Sequence, residues 1–197
     1  MVRRGKMERE TAETRIRVEI DLDGTGANAV KTPIGFLTHM LEQLSRHGLF
    51  DLTVEAEGDV HVDGHHTTED LGITLGKAVE QALGDKAGIR RYGWATLPMD
   101  DACVSCALDL SGRPFFVWRM DLAKAKVGGF DSELAEVFFE AFARTARCNL
   151  HFHKLAGDNL HHLIEISFKA FAKALRQAVE ADPRQPGVPS TKGTLTA

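Results

Sequence analysis

Two stretches of the chain carry the same groups at the same spacing: "GHHTTEDLG", residues 64–72, and "NLHHLIEIS", residues 159–167. Each contains His-His-x-x-Glu. On a helix, successive residues turn by about 100°. His65 and Glu69 are then i,i+4 neighbours, and His66 and Glu69 are i,i+3 neighbours, so either imidazole can share one metal ion with the carboxylate. The two adjacent imidazoles diverge, so each motif addresses two places. His161, His162 and Glu165 repeat the arrangement.

Two more histidines extend the set: His39 in "FLTHMLEQL" and His151 in the stretch "NLHFHKL" before the second motif. Six imidazoles and two carboxylates divide into two sites of three His and one Glu. Nitrogen and carboxylate ligands without thiolate suit Mn, Fe, Zn or Ni. Four protein ligands leave positions on an octahedral ion for water or substrate. One copy alone reads more readily as polar residues near a helix start, with Glu69 and Asp70 favouring the helix dipole. The matched second copy turns the reading towards metal. His39 by itself is equally well a satisfied core histidine. His47, beside Gly48, reads as a C-terminal capping residue, and His61 and His153 as surface strand residues.

Regular elements must hold these groups. "ETRIRVEIDL" sets Ile16, Val18, Ile20 and Leu22 on one face of a strand. "FLTHMLEQLSRHG" has Phe36, Leu37, Met40, Leu41 and Leu44 at helical spacing, with Gly48 placed to end the helix. "FDLTVEA" and the shorter "DVHVDG" alternate as strands. The helix opening with the first motif turns Leu71, Leu75, Val79 and Leu83 inward. In the second half, "DACVSCALDLSG" and "PFFVWRM" read as strands. "SELAEVFFEAFARTA" is a helix capped by Ser132, "NLHFHKL" a strand, and the stretch from "LHHLIEIS" a long helix stopping before Pro183. Each half then contains strand, strand, helix, strand, helix, with the motif opening its last helix. This implies a duplication, residues 1–90 and 91–181. A tail, residues 182–197, is rich in Pro, Gly, Ser and Thr and reads as a mobile segment.

The 197 residues suffice for a buried core, and 43% hydrophobic with 26% charged residues describes a soluble globular chain. A net charge of −4 argues against nucleic acid as a partner. No run is long enough for a membrane span, and "MVRRGKMERE" lacks the apolar core of a secretory signal. Three cysteines cannot all pair, which points to a reducing compartment. Cys103 and Cys106 form a CxxC, but residues three apart on a strand face opposite ways, so they read as packing residues.

The chain resembles the imidazoleglycerol-phosphate dehydratases of histidine biosynthesis. The resemblance spans nearly its whole length, through "ETRIRVEIDLDG", "FLTHMLEQLSRHGLFDL", "GDVHVDGHHTTEDLGITLG", "RRYGWATLPMDDA", "SGRPFF", "NLHFHKLAGDNLHHLIEISFKAFAKAL" and "STKG". It implies an α+β fold from two copies of a unit with left-handed βαβ crossovers, sheets packed against helices. It implies two Mn(II) ions per active site, sites formed between subunits, and trimers assembled into a 24-subunit homo-oligomer of 432 symmetry. The implied metal ligands are His39, His65, His66, Glu69, His151, His161, His162 and Glu165. Glu13 matches the family's substrate-contacting glutamate. Glu13, with Glu69 and Glu165 beside the metals, is the expected catalytic carboxylate set. Arg91, Arg113, Lys169, Ser190, Thr191 and Lys192 match its substrate-binding, phosphate-holding residues, with Thr191 where the family more often has a second serine.

The implied chemistry explains the metals. Water must leave a side chain whose C–H no carbonyl activates, so the imidazole ring must do the activating. Held as imidazolate by a metal at each nitrogen, the ring can expel the neighbouring hydroxyl through a diazafulvene-like intermediate. Loss of a side-chain proton to an acid/base then gives an enol, and the enol gives the ketone. A di-metal phosphoester hydrolase could use the same ligands, and a metal-storage shell would need no phosphate cluster. The resemblance further implies a monofunctional, bacterial-type cytoplasmic enzyme.

Overall fold

The computed structural model describes residues 3–195; Met1, Val2 and the last two tail residues, Thr196 and Ala197, lie outside it. Alternation makes the first sheet. Ile16, Val18 and Ile20 bury one face of β2 (Thr14–Asp21), and Leu52, Val54 and Ala56 that of β4 (Asp51–Gly58). β1 (Arg4–Glu10) and β3 (Asn28–Lys31) flank them, in the order β1-β2-β4-β3. β3 and β4 are parallel and bracket α1 (Gly35–Gly48). α2 (His65–Leu83) follows.

The second half repeats this topology. β5 (Tyr92–Met99), β6 (Ala102–Asp109), β7 (Phe115–Arg119) and β10 (Asn149–Ala156) form a sheet of order β5-β6-β10-β7. A small hairpin, β8 (Lys126–Val127) with β9 (Phe130–Asp131), precedes α3 (Leu134–Thr145). β7 and β10 are parallel and bracket α3, and α4 (Leu160–Val179) closes the half. The fold is α+β, with each sheet packed against helices. α2 lies on β1 and β2, and α4 on β5 and β6. Across the two halves, α2 packs on α3 and α1 on α4.

The duplication extends to single residues. A Cβ on Gly5 would stand 1.9 Å from the Ala78 carbonyl oxygen, and one on Gly93 would stand 1.8 Å from that of Ala174. Both helices therefore rest on bare strand backbone. Gln81 accepts from the Lys6 amide and Gln177 from the Trp94 amide, each at 2.7 Å, satisfying strand-edge donors.

Several expectations are corrected. Each half has three strands of its main sheet before its first long helix, and the second adds the β8–β9 hairpin; β1, β3 and β5 were not expected because they lack a clear apolar alternation. Residues 59–62 form a turn rather than a strand; Val60 and Val62 alternate but are exposed. α1 runs through Gly48, and Leu49 takes the left-handed conformation instead, with φ 57°. His47 pairs with Gln43 at 3.1 Å and caps nothing, and His61 lies in an exposed turn. Ser132 lies before the N-cap Glu133, and its Oγ donates to Ala123 O at 2.7 Å, clamping the preceding loop. Cys106 is buried and Cys103 only partly, as opposite strand faces require, and the cysteines are free. Burial pushes the Cys106 and Cys148 thiols up, which keeps them protonated and inert.

The tail is docked against Gly88, at the end of the first half, and along the second half. Gly88 N–H donates to Gly187 O at 2.9 Å, and Leu195 is 4% exposed. A Cβ on Gly112 would meet the Leu195 carbonyl oxygen at 1.7 Å, so only glycine lets the tail lie there.

Candidate active site

The helix starts set the geometry of the repeated motif. His65 opens α2, its amide bonded to Asp63 Oδ1 at 2.8 Å. Asn159 caps α4, accepting from the His162 amide at 3.3 Å. The adjacent rings diverge as expected: His65 and His66 are 6.2 Å apart at 90°, His161 and His162 6.1 Å apart at 76°.

Three expected ligands meet within the chain. His161 Nε2 is 3.0 Å and His39 Nε2 3.6 Å from the same oxygen, Glu165 Oε2. Lys169 Nζ holds the other oxygen at 2.6 Å. Burial would raise the Glu165 carboxyl, but the Lys169 hydrogen bond and charge outweigh it and leave it ionised, below its ordinary range. Two imidazole nitrogens turned on one carboxylate oxygen, with no thiolate, form a donor set that fits a divalent ion such as Mn(II).

The other five ligands lie elsewhere. His66 Nδ1 is 3.0 Å from Asp59 Oδ2 and 3.7 Å from Glu13 Oε2, and the hydrogen bond to Asp59 raises the His66 pKa. Glu13, at the β1–β2 turn, Asp59 and His66 each bring one ligand atom within 4.8 Å of the others. His162 Nδ1 is 2.7 Å from Asp101 Oδ1 and lowers that carboxyl to about 2. His66 and His162 thus each have Nδ1 held by a carboxylate, a common partner of a metal-binding histidine, and His162 Nε2 lies 3.6 Å from Asp100 Oδ2. Glu69 accepts from Arg144 Nη2 at 3.1 Å. His151 is half-exposed on β10, its ring 6.2 Å from that of Phe115. His65 is exposed.

The expected phosphate ligands converge, with one exception. Arg91, Arg113, Ser190, Thr191 and Lys192 line a cavity of about 650 Å³ with Tyr92. Lys169 is not among them; it belongs to the Glu165 cluster. Arg91 lies against the C-terminal end of α4, its amide 2.9 Å from Ala178 O, whereas His161 lies in the first turn of that helix.

A family model described as imidazoleglycerol-phosphate dehydratase matches residues 32–175. The chain belongs to the imidazoleglycerol-phosphate dehydratase family. The imidazoleglycerol-phosphate dehydratase of Ruegeria pomeroyi is 60% identical over 195 residues, covering 98% of this chain and 100% of that protein. That of Paracoccus denitrificans is 57% identical with the same coverage. The crystal structure of the Staphylococcus aureus dehydratase superposes with a TM-score of 0.82 at 37% identity, covering 91% of this chain and 99% of that one. The Pyrococcus furiosus dehydratase, solved in complex with (S)-C348, gives the same TM-score at 36% identity and covers 95% and 99%. As a member of the imidazoleglycerol-phosphate dehydratase family, the chain is a hydro-lyase of histidine biosynthesis. Sequence reasoning missed Asp59 and Asp101. Their signals were present, in the "GD" shortly before the first motif and in the "MDD" turn between β5 and β6.

Proposed function

We propose that the chain dehydrates D-erythro-imidazoleglycerol phosphate to imidazole-acetol phosphate with two Mn(II) per active site, at sites completed by other copies of itself. One observation carries this reading: an imidazole–carboxylate cluster and a cationic, hydroxyl-lined cavity occur in one chain of this family, at opposite ends of α4. At about 1.5 Å per residue they lie roughly 25 Å apart, too far for one small substrate to touch both. A second copy must therefore supply one end. This fits an assembly of trimers into a 24-subunit particle, and it lets Lys169 of one copy reach phosphate held by another.

Within such a site, Arg91, Arg113 and Lys192 neutralise the phosphate, and Ser190 and Thr191 donate hydroxyls to it. His39, His65, His66, Glu69, His151, His161, His162 and Glu165 would hold the metals, which would supply Lewis acidity to the substrate's imidazole ring. Glu13 accepts the proton lost from the side chain; its carboxylate is exposed at a hairpin tip beside His66. The tail lies over the cavity and keeps water from the reacting carbons. Three free thiols and the biosynthetic setting fit the cytoplasm.

Metal-stripped protein given imidazoleglycerol phosphate should form the ketone only when Mn(II) is restored. Ketone formation without metal, or release of inorganic phosphate instead, would reject the reading. Removing residues 188–197 should raise KM and lower kcat; unchanged kinetics would remove the tail from the mechanism.

A further inference from the structure

Arg91 is held on every side. Its backbone adopts a left-handed φ of 71°, a conformation non-glycine residues keep only when their surroundings impose it. Its amide donates to Ala178 O at 2.9 Å and its carbonyl accepts from Leu110 N–H at 3.1 Å. Its guanidinium carbon sits 4.7 Å from the centre of the Tyr92 ring. Asp109 then grips the guanidinium twice, Oδ1 at 2.7 Å from Nε and Oδ2 at 3.1 Å from Nη2. Pro189 O, from the tail, accepts from Nη1 at 2.9 Å. Strand pairing puts Asp109 there, since it faces Tyr92 across β5 and β6.

A guanidinium has five N–H groups. Asp109 takes one on Nε and one on Nη2, and Pro189 takes one on Nη1. Among the described residues nothing else takes the second N–H on each of Nη1 and Nη2, which leaves Arg91 two donors for an oxyanion in the cavity. Yet Asp109 is itself an anion beside an anion-binding cavity. Its charge alone repels phosphate, so its presence needs another justification.

We propose that Asp109 is a positioning residue for the reaction: it fixes the direction of the two free Arg91 N–H groups so that they meet the substrate phosphate together. This rests on Arg91 being a phosphate ligand, as proposed above. The two roles open to Asp109 differ in sign. If it contributes only negative potential, neutralising it tightens phosphate binding. If it positions Arg91, neutralising it loosens binding, because Asn presents an N–H to Nη2 and cannot hold both edges of the fork.

The test is steady-state kinetics on the Mn(II)-loaded assembly with imidazoleglycerol phosphate, together with inhibition by inorganic phosphate. Asp109→Asn should raise KM and the phosphate inhibition constant by about tenfold, the size of one lost charge-assisted contact, with kcat within about twofold. Arg91→Ala should raise KM at least as much. The double variant should be no worse than Arg91→Ala, because Asp109 acts through that side chain. A KM that falls or stays put in folded Asp109→Asn, while Arg91→Ala raises it, overturns the proposal alone, as do additive losses in the double variant. An unchanged KM in Arg91→Ala overturns the phosphate reading and the proposal with it. If Asp109→Asn does not assemble, Asp109→Glu keeps the charge but displaces the carboxylate by one methylene. It should raise KM as well, and a normal KM there overturns the proposal.

Discussion

At the scale of single residues, the histidines are prepared by neighbours that the motif does not contain. Asp59 and Asp101 come from outside His-His-x-x-Glu, the latter 61 positions before His162. The repeated spacing made six of the eight candidate ligands legible, because a helix converts spacing into direction; His39 and His151 lie outside the motif and were read as ligands from the family resemblance. Nothing in spacing shows that the turn after β5 comes back to the start of α4. The Asp101 pairing has a signed consequence for stability. Its folded pKa, about 2, lies below the ordinary 3.8, so as pH falls the unfolded chain takes up the proton first. The stabilisation is complete above 3.8 and is lost as pH falls through about 2. In metal-free protein, Asp101→Asn should lower the melting temperature at neutral pH, and the gap to wild type should close only in that acid window. Carbon NMR of the Asp101 carboxyl gives the direct check: a midpoint at the ordinary value would remove the argument. His66 has the opposite sign. Its pKa is raised from 6.5, chiefly by Asp59, so that pair stabilises below 6.5 and is lost as pH rises through the shifted value.

At the scale of elements, the two edge strands β1 and β5 escaped notice for one cause. β1 and β5 turn Gly5 and Gly93 towards α2 and α4, and a glycine under a helix leaves no apolar side chain for a pattern to show. Apart from the partly buried Met7, the rest of β1 is charged and partly or fully exposed, and β5 contains Pro98, which an edge strand tolerates. β3, four residues long, is too short to show a period. Conversely, "DVHVDG" alternates without a partner and is a turn. The four long helices and the strands β2, β4, β6 and β10 were legible because each buries a continuous face, and β7 because it is an aromatic and β-branched run, with Phe116 and Trp118 packed partly buried on the core. The glycines therefore make an element-level prediction. Gly5→Ala and Gly93→Ala should each cost about 1–3 kcal/mol or more, since helix and sheet must separate to admit the methyl group. The costs should be similar, as the duplication requires. Gly129→Ala, with nothing within 4 Å of its Cβ position, serves as the control and should change stability by less than about 0.5 kcal/mol. Urea midpoints at one fixed protein concentration decide it. A silent Gly93→Ala would mean that α4 does not rest on β5 as described.

For the whole molecule, the decisive distance is the length of α4. It was legible in part: the second motif opens a long helix, so its two ends had to be far apart. That Arg91 returns to the far end was not legible, because it depends on β5, the strand without a pattern. With the imidazole cluster at one end and the cationic cavity at the other, the proposed reading assigns activity to an assembly rather than to a single chain. Two variants separate the ends. Glu165→Gln damages the cluster and leaves the cavity intact; Arg113→Ala does the reverse. Each alone should be nearly inactive. Co-expressed in equal amounts and assembled at random, they should regain activity, because a site drawing its cluster from one copy and its cavity from another is intact in about a quarter of cases. If both ends of a site came from the same chain, every site would carry one lesion, and the mixed assembly would be as inactive as either parent. Recovered activity should also scale with the product of the two subunit fractions and be greatest at equal mixing, whereas simple stabilisation of one variant by the other would follow the excess partner.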